Sequence, residues 1–159
     1  MFKLASMLTP QRTRCNADQK SKKRIFEAAA EIIAEDQPHL KRTDIFAALN
    51  AREKLGSTAM GQGIAVPHCR ISNCSKTIGT LITLDQAINF EALDHKPVQI
   101  IFILLVPEEA HENHLNTLAS LARLFSIPNY CQSLREANSD RALYESATAY
   151  DSESQTSSE

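Results

Sequence analysis

The sequence predicts a single α/β domain in which a mixed β-sheet is flanked by helices on both faces. The first observation is residues 98–106, VQIIFILLV, a nearly continuous apolar run that is typical of a central strand buried on both faces. The second is that apolar residues recur at helical spacing in residues 21–34 and 114–125. The third is the length of 159 residues, which suffices for one domain with a substantial core and is short for two.

Local patterns predict the elements that precede the central strand. Residues 21–34 form an amphipathic helix, and Thr43 caps a second helix that ends near Arg52. Residues 64–66 form a short buried strand. Residues 78–84 are rich in Ile, Leu and Thr and form another strand.

The elements after the central strand are helical. Asn113 is placed to cap a helix that begins at His114. Two shorter helices follow over residues 130–137 and 140–147, and Ser139 caps the second of them. The predicted order is two helices, then the strands, then the remaining helices. This order suits one layered α/β domain.

The last nine residues differ in composition from the rest of the chain. Beyond Tyr150 the sequence is DSESQTSSE, which is polar and acidic and offers no apolar side chain to a core. We therefore expect a domain over residues 5–149 and a disordered tail over residues 150–159.

The charge of the chain gives no general reason to expect nucleic-acid or membrane binding. The net charge is −2, whereas such partners select strongly basic surfaces. One local basic cluster is open to two interpretations, a docking patch or the solvated start of a helix. Its members are Lys20, Lys22, Lys23 and Arg24.

The cysteines and the apolar segments favour a cytoplasmic protein. No signal peptide is apparent, and the longest apolar run, residues 100–106, is far too short to span a bilayer. We expect no metal or other cofactor. The cysteines form no CxxC pair and are expected to be reduced thiols; they are Cys15, Cys69, Cys74 and Cys131.

The stretch from residue 52 to residue 70, REKLGSTAMGQGIAVPHCR, contains three of the four glycines. Gly61 and Gly63 predict a shaped loop, because glycine enters positive φ without steric cost. Pro67 ends the short strand after this loop and directs the following residue, His68. From the residues alone His68 is equally well interpreted as a functional histidine or as a satisfied core histidine.

This stretch resembles the signature of the type-2 enzyme IIA domain of the bacterial phosphotransferase system, which includes mannitol, fructose and nitrogen-regulatory proteins. Its Arg-Glu pair leads into Ser-Thr, Gly-x-Gly, a short apolar run and Pro-His. REKLGST, the earlier SKKR and the later LLVP resemble the nitrogen-regulatory branch most. The resemblance extends from about Leu8 to about Tyr150 and implies the mannitol/fructose-type fold. The Cys69-Arg70 pair departs from the Gly-Lys of many members.

The resemblance implies a role for each of several residues. His68 takes up a phosphoryl group, and His114 corresponds to the supporting histidine of the family. The neighbouring His111 is the residue most easily mistaken for that supporting histidine. Arg52 stabilises charge. The donors expected around the phosphoryl group are Ser57, Thr58, Gly61 and Gly63.

The implied function is a phosphocarrier that receives its phosphoryl group from a phosphohistidine on an HPr-like protein. In the nitrogen-regulatory branch the phosphorylation state controls partner proteins, including potassium-transport regulators. The close alternative is a sugar-specific enzyme IIA that passes phosphate to a IIB domain. A pure interaction module is a further alternative, as is a metal-binding protein that uses His68, Cys69, His111 and His114.

Overall fold

The computed structural model describes residues 2–110 and 112–157, and only the backbone of residues 112–113 and 152–157. After an N-terminal segment that contains two short 3₁₀ turns, one strand is followed by two helices, five strands and three helices. The elements are β1 (Thr13–Ala17), α1 (Lys22–Asp36), α2 (Arg42–Lys54), β2 (Ala59–Gly61), β3 (Ile64–Ala65), β4 (His68–Ile71), β5 (Ile78–Ile88), β6 (Val98–Pro107), α3 (Glu112–Leu124), α4 (Pro128–Glu136) and α5 (Asp140–Ser157).

The predicted central strand is confirmed as β6. The strand order is β1-β5-β6-β3-β2, and β4 also pairs with β6. β6 is antiparallel to β5 but parallel to β3 and β4, so the sheet is mixed. β3 and β4 follow one another along the same edge of β6, because β3 pairs with residues 100–101 and β4 with residues 104–107.

Helices cover both faces of the sheet, which explains the continuous apolar sequence of β6. Ile101, Ile103 and Leu105 pack on one side with α1 and α2. Alternate residues such as Phe102 and Leu104 pack on the other side with α3, α4 and α5. Successive side chains of a strand point to opposite faces, so a strand between two helical layers needs apolar residues at every position.

Helix caps follow the sequence in part. The Ser139 hydroxyl accepts a hydrogen bond from the Ala142 backbone N–H at 3.0 Å, which confirms the predicted cap. The predicted caps at Thr43 and Asn113 are wrong, since α2 begins at Arg42 and α3 begins at Glu112, which places both residues inside the helices. Lys41 is the N-cap residue of α2 and makes no side-chain capping bond.

The C-terminal segment differs from the expected disordered tail. α5 continues from Asp140 to Ser157, and the Asp151 carboxylate accepts hydrogen bonds from the backbone N–H groups of Leu4 at 2.9 Å and Ala5 at 3.1 Å. Asp151 therefore satisfies backbone donors at the start of the first 3₁₀ turn. Residues 158–159 lie outside the described part of the chain, and the domain boundary at residue 149 stays a prediction.

Candidate active site

His68 is the first residue of a further strand, β4, which the sequence did not predict. β3 ends at Ala65, and strand pairing with β6 is interrupted at Val66 and Pro67 before it resumes in β4. The Nδ1 atom of His68 lies 2.8 Å from the Val66 carbonyl oxygen. Because a carbonyl oxygen can only accept, the neutral ring carries its proton on Nδ1 and leaves the lone pair on Nε2.

The surroundings of His68 favour its neutral form. Burial lowers the pKa of His68 below 6.5 and is the largest effect, and the Arg52 charge also lowers it. The hydrogen bond to Val66 and the Glu53 charge act in the opposite direction without cancelling the effect of burial. At neutral pH the ring is therefore an uncharged nitrogen nucleophile.

The structure brings His68 and His114 together. Their ring centroids are 5.8 Å apart with an interplanar angle of 47°. Burial chiefly lowers the pKa of His114, and the charges of His68 and Arg70 lower it further. The Nδ1 atom of His114 is buried and has no hydrogen-bond partner within the described part of the chain. His111 lies outside the described residues.

Two arginines add positive charge to this pair. Arg52, near the end of α2, donates from Nη1 to the Gly56 carbonyl oxygen at 3.0 Å and lies close enough to affect His68. Arg70 is exposed, and it occupies the same face of β4 as His68 because it comes two residues later. Among the side chains that the structure describes, those of residues 2–110 and 114–151, no acidic group forms an ion pair with Arg70. Period-2 spacing from His68 was the available signal for this residue, which sequence reasoning missed.

The hydroxyl groups of Ser57 and Thr58 are not free to bind a phosphoryl group. Ser57 Oγ donates to the Phe90 carbonyl oxygen at 2.7 Å. Thr58 is buried and its Oγ1 donates to Glu53 Oε2 at 2.7 Å. Both hydroxyls thus hold the loop between α2 and β2 in place, which corrects their expected role as phosphoryl donors. Glu53 orients this loop through its two hydrogen bonds with Thr58.

The turn at Gly61 and Gly63 also lies away from His68. It is the tight end of the β2–β3 hairpin, where both glycines have positive φ, +92° and +82°. The backbone N–H of Gln62 donates to Asp94 and its carbonyl oxygen accepts from Arg135. β3 and β4 pair with β6 four residues apart, at Ile100 and Leu104, which is about 13 Å along the strand. The expected phosphoryl-binding role of the two glycines is therefore corrected to a structural one.

Cys69 is a partly buried free thiol. Burial, with a smaller effect of Cys74, raises the pKa of Cys69 to about 12.

The described residues contain no group of three or more His, Cys, Asp or Glu side chains arranged to hold a metal ion. In the same part of the chain no helix is both long and apolar enough to cross a membrane.

Comparison with known proteins identifies the family. Residues 6–148 match the family described as phosphoenolpyruvate-dependent sugar phosphotransferase system, EIIA 2. The chain belongs to this family. It is similar to a nitrogen regulatory protein of Pseudomonas aeruginosa, with 43% identity over 145 residues that cover 91% of this chain and 94% of the relative.

Solved structures agree with this assignment. The nitrogen regulatory protein IIA-Ntr of Neisseria meningitidis superposes with a TM-score of 0.84 and 39% identity, covering 91% of this chain and 99% of that chain. Mannitol IIA of Escherichia coli superposes with a TM-score of 0.68 and 18% identity, covering 88% and 98%, and shows the fold alone. The resemblance to type-2 enzyme IIA, closest to its nitrogen-regulatory branch, and the mixed α/β fold are thus confirmed.

Proposed function

We propose that this enzyme IIA domain is a phosphocarrier of the nitrogen-related phosphotransferase system and that Nε2 of His68 is its phosphoryl acceptor. The carrying observation is the hydrogen bond between His68 Nδ1 and the Val66 carbonyl oxygen at 2.8 Å. It leaves Nε2 as the nucleophilic nitrogen beside His114, at a ring separation of 5.8 Å. The donor is a phosphohistidine of an HPr-like protein.

The transfer forms one N–P bond and breaks another. The Nε2 lone pair of His68 attacks phosphorus, the N–P bond of the donor breaks, and its electron pair returns to the donor nitrogen. The Nδ1 proton stays on His68, hydrogen-bonded to Val66, and offsets charge on the phosphorylated ring. Positive groups near the moving oxygens carry most of the catalysis in such reactions. Arg52, Arg70 and His114 are the groups that this chain supplies, and the proposal requires no cofactor.

Two exposed leucines support docking of a carrier protein at this site. Leu55 is 84% exposed and follows Arg52 by three residues, and Leu115 is 65% exposed and adjoins His114. Ile64 and Val66, which could have formed an apolar rim, are buried instead. A protein partner that covers both leucines would exclude water from the histidine pair and strengthen its electrostatic interactions.

The proposed biological role is regulation of partner proteins, including potassium-transport regulators, by phosphorylation state in the cytoplasm, without nucleic-acid binding or membrane insertion. Identity of 43% to a nitrogen regulatory protein supports it. The family description names a sugar phosphotransferase system, so a sugar-specific enzyme IIA that passes phosphate to a IIB domain is the second candidate. Phosphorylation adds about −1.5 to −2 charges, and we expect at least one regulatory partner to prefer the unmodified surface.

Incubation with phosphoenolpyruvate and the upstream carrier proteins tests the proposal. Wild-type protein should acquire an acid-labile, base-stable label, and His68→Ala should acquire none. His114→Ala should be labelled slowly, and His39→Ala, which changes an exposed histidine outside the pair, should match wild type. Undiminished labelling of His68→Ala would refute the acceptor assignment. Rapid loss of the label to an added IIB domain would favour the sugar-specific candidate.

A further inference from the structure

A partly buried ion pair joins the start of α1 to the end of α2. Lys22 Nζ lies 3.0 Å from Glu53 Oε1, and the two side chains are only 19% and 6% exposed. The same ammonium lies 3.2 Å from Glu91 Oε1 and 4.8 Å from the centroid of the Phe90 ring. Burying such a pair costs free energy unless further hydrogen bonds satisfy both groups. The other hydrogen bonds of Glu53 therefore identify the residue that this ion pair positions.

Glu53 uses its remaining acceptor capacity on Thr58. Its Oε1 accepts from the Thr58 backbone N–H at 3.1 Å, and its Oε2 accepts from the Thr58 hydroxyl at 2.7 Å. The Thr58 carbonyl oxygen in turn accepts from the Val66 N–H at 3.0 Å. The carbonyl of Val66 then holds His68 Nδ1 at 2.8 Å. A continuous series of polar contacts therefore connects Lys22 to the imidazole.

We propose that Lys22 and Glu53 are positioning residues that fix the orientation and tautomer of His68. Without the Glu53 carboxylate, Thr58 loses the hydrogen bonds of its backbone N–H and its hydroxyl. Thr58 then no longer fixes the position of Val66 through the hydrogen bond from the Val66 N–H to its carbonyl oxygen. A carbonyl free to rotate no longer selects the Nδ1–H form, and a neutral imidazole can carry its proton on either nitrogen. In the Nε2–H form the nitrogen that faces the donor has no lone pair available for attack.

The consequence for phosphoryl transfer rests on the proposed function, whereas the tautomer does not. Nitrogen-15 NMR of the His68 ring, recorded where the ring is neutral, reports which nitrogen carries the proton. Wild type should show a protonated Nδ1 and an unprotonated Nε2. Glu53→Gln and Lys22→Met should shift both signals toward a tautomer average and slow phosphorylation by roughly tenfold or more. Lys22→Arg keeps the charge and should retain most of the wild-type behaviour.

A second partly buried ion pair supplies the matched control. Arg12 and Asp36 form a salt bridge, and their side chains are 4% and 23% exposed. Arg12 also donates hydrogen bonds to the carbonyl oxygens of Gly79 and Met7. Asp36→Asn should lower the melting temperature yet leave the His68 nitrogen signals unchanged. If it shifts them as Glu53→Gln does, general destabilisation explains the effect and the proposal is wrong.

The remaining outcomes separate this inference from the proposed function. Wild-type nitrogen signals in folded Glu53→Gln and Lys22→Met would overturn the positioning role, whatever their labelling rates. Shifted signals in both variants, combined with a wild-type protein that the upstream carriers fail to label, would refute the phosphocarrier function and leave the positioning role supported. Should Glu53→Gln fail to fold, the Lys22→Met and Lys22→Arg pair decides the question alone.

Discussion

Acidification should destabilise this domain through its two paired histidines. Burial, as the largest effect, lowers the pKa of both His68 and His114 in the folded protein below the ordinary value of 6.5. As the pH falls through about 6.5, the unfolded chain binds protons that the folded chain does not, so the free energy of unfolding decreases. The decrease ends once the pH has passed below the folded-state pKa values. Above about pH 7.5 the two histidines contribute no slope.

Linkage bounds the size of this loss. Each histidine contributes at most about 1.4 kcal/mol per pH unit, so the pair contributes at most about 2.7 kcal/mol per pH unit. Both rings are partly exposed, and solvent screening reduces the effect. Protonation of either ring also disfavours protonation of the other, because the charge of His68 lowers the pKa of His114. We expect a measured slope of about 1 kcal/mol per pH unit below pH 6.5.

Urea unfolding at a series of pH values between about 7.5 and 5.5 measures the slope. The double variant His68→Gln and His114→Gln should be flatter over this range, because glutamine does not titrate. His39→Gln alters a histidine outside the pair and should follow wild type. The reasoning fails if the double variant loses stability on acidification as steeply as wild type does.

Three further substitutions have direct consequences. Arg70→Gln should raise the pKa of His114, seen by NMR titration, and slow phosphorylation by roughly tenfold, because it removes a positive charge from the site. Asp151→Ala should lower stability by about 1 kcal/mol, or roughly 3 °C in melting temperature, since it leaves two backbone N–H groups without their acceptor. Gly79→Ala should cost about 1–3 kcal/mol, because its Cβ would lie 2.6 Å from Phe102 Cζ.

Each of these expectations can be contradicted separately. An unchanged His114 titration in Arg70→Gln would place the Arg70 charge away from the pair. A melting temperature for Asp151→Ala equal to that of wild type would show that the contact between α5 and the N-terminal turn carries no stability. Gly79→Ala with wild-type stability in urea would mean that the Phe102 ring moves aside at no cost.

The sequence predicted the strongly patterned elements and missed those that depend on pairing. The strand β6 was predictable because a strand between two helical layers must be apolar throughout, and α1 followed from helical spacing. Strand β1, TRCNA, is polar, lacks alternation and is held by parallel pairing with β5. Asp151 and Leu4 are 147 residues apart, so no local pattern could show that α5 holds the N-terminus.

The site was predictable where chemistry follows from residue type and less so where it depends on partners. His68 and His114 were proposed as site residues from their motifs, and the fold brings their rings together. Ser57 and Thr58 have the residue types of phosphoryl donors, but Phe90 and Glu53 take up their hydroxyls. A hydroxyl binds whichever acceptor the fold places nearest, and that acceptor can be distant in sequence.

The charges around His68 suit the same site to two different states. In the unmodified protein Arg52 and burial keep the ring neutral, while Glu53 opposes them without reversing the result. Under the proposed function, phosphorylation brings about −1.5 to −2 charges into this setting. Arg52 and Arg70 then become counterions for phosphoryl oxygens, and the buried Nδ1 of His114 gains a source of negative charge nearby. Repulsion between Glu53 and the phosphoryl group is reduced, because the Glu53 carboxylate is paired with the Lys22 ammonium. One arrangement of fixed charges can therefore favour a neutral nucleophile before transfer and stabilise an anion after it.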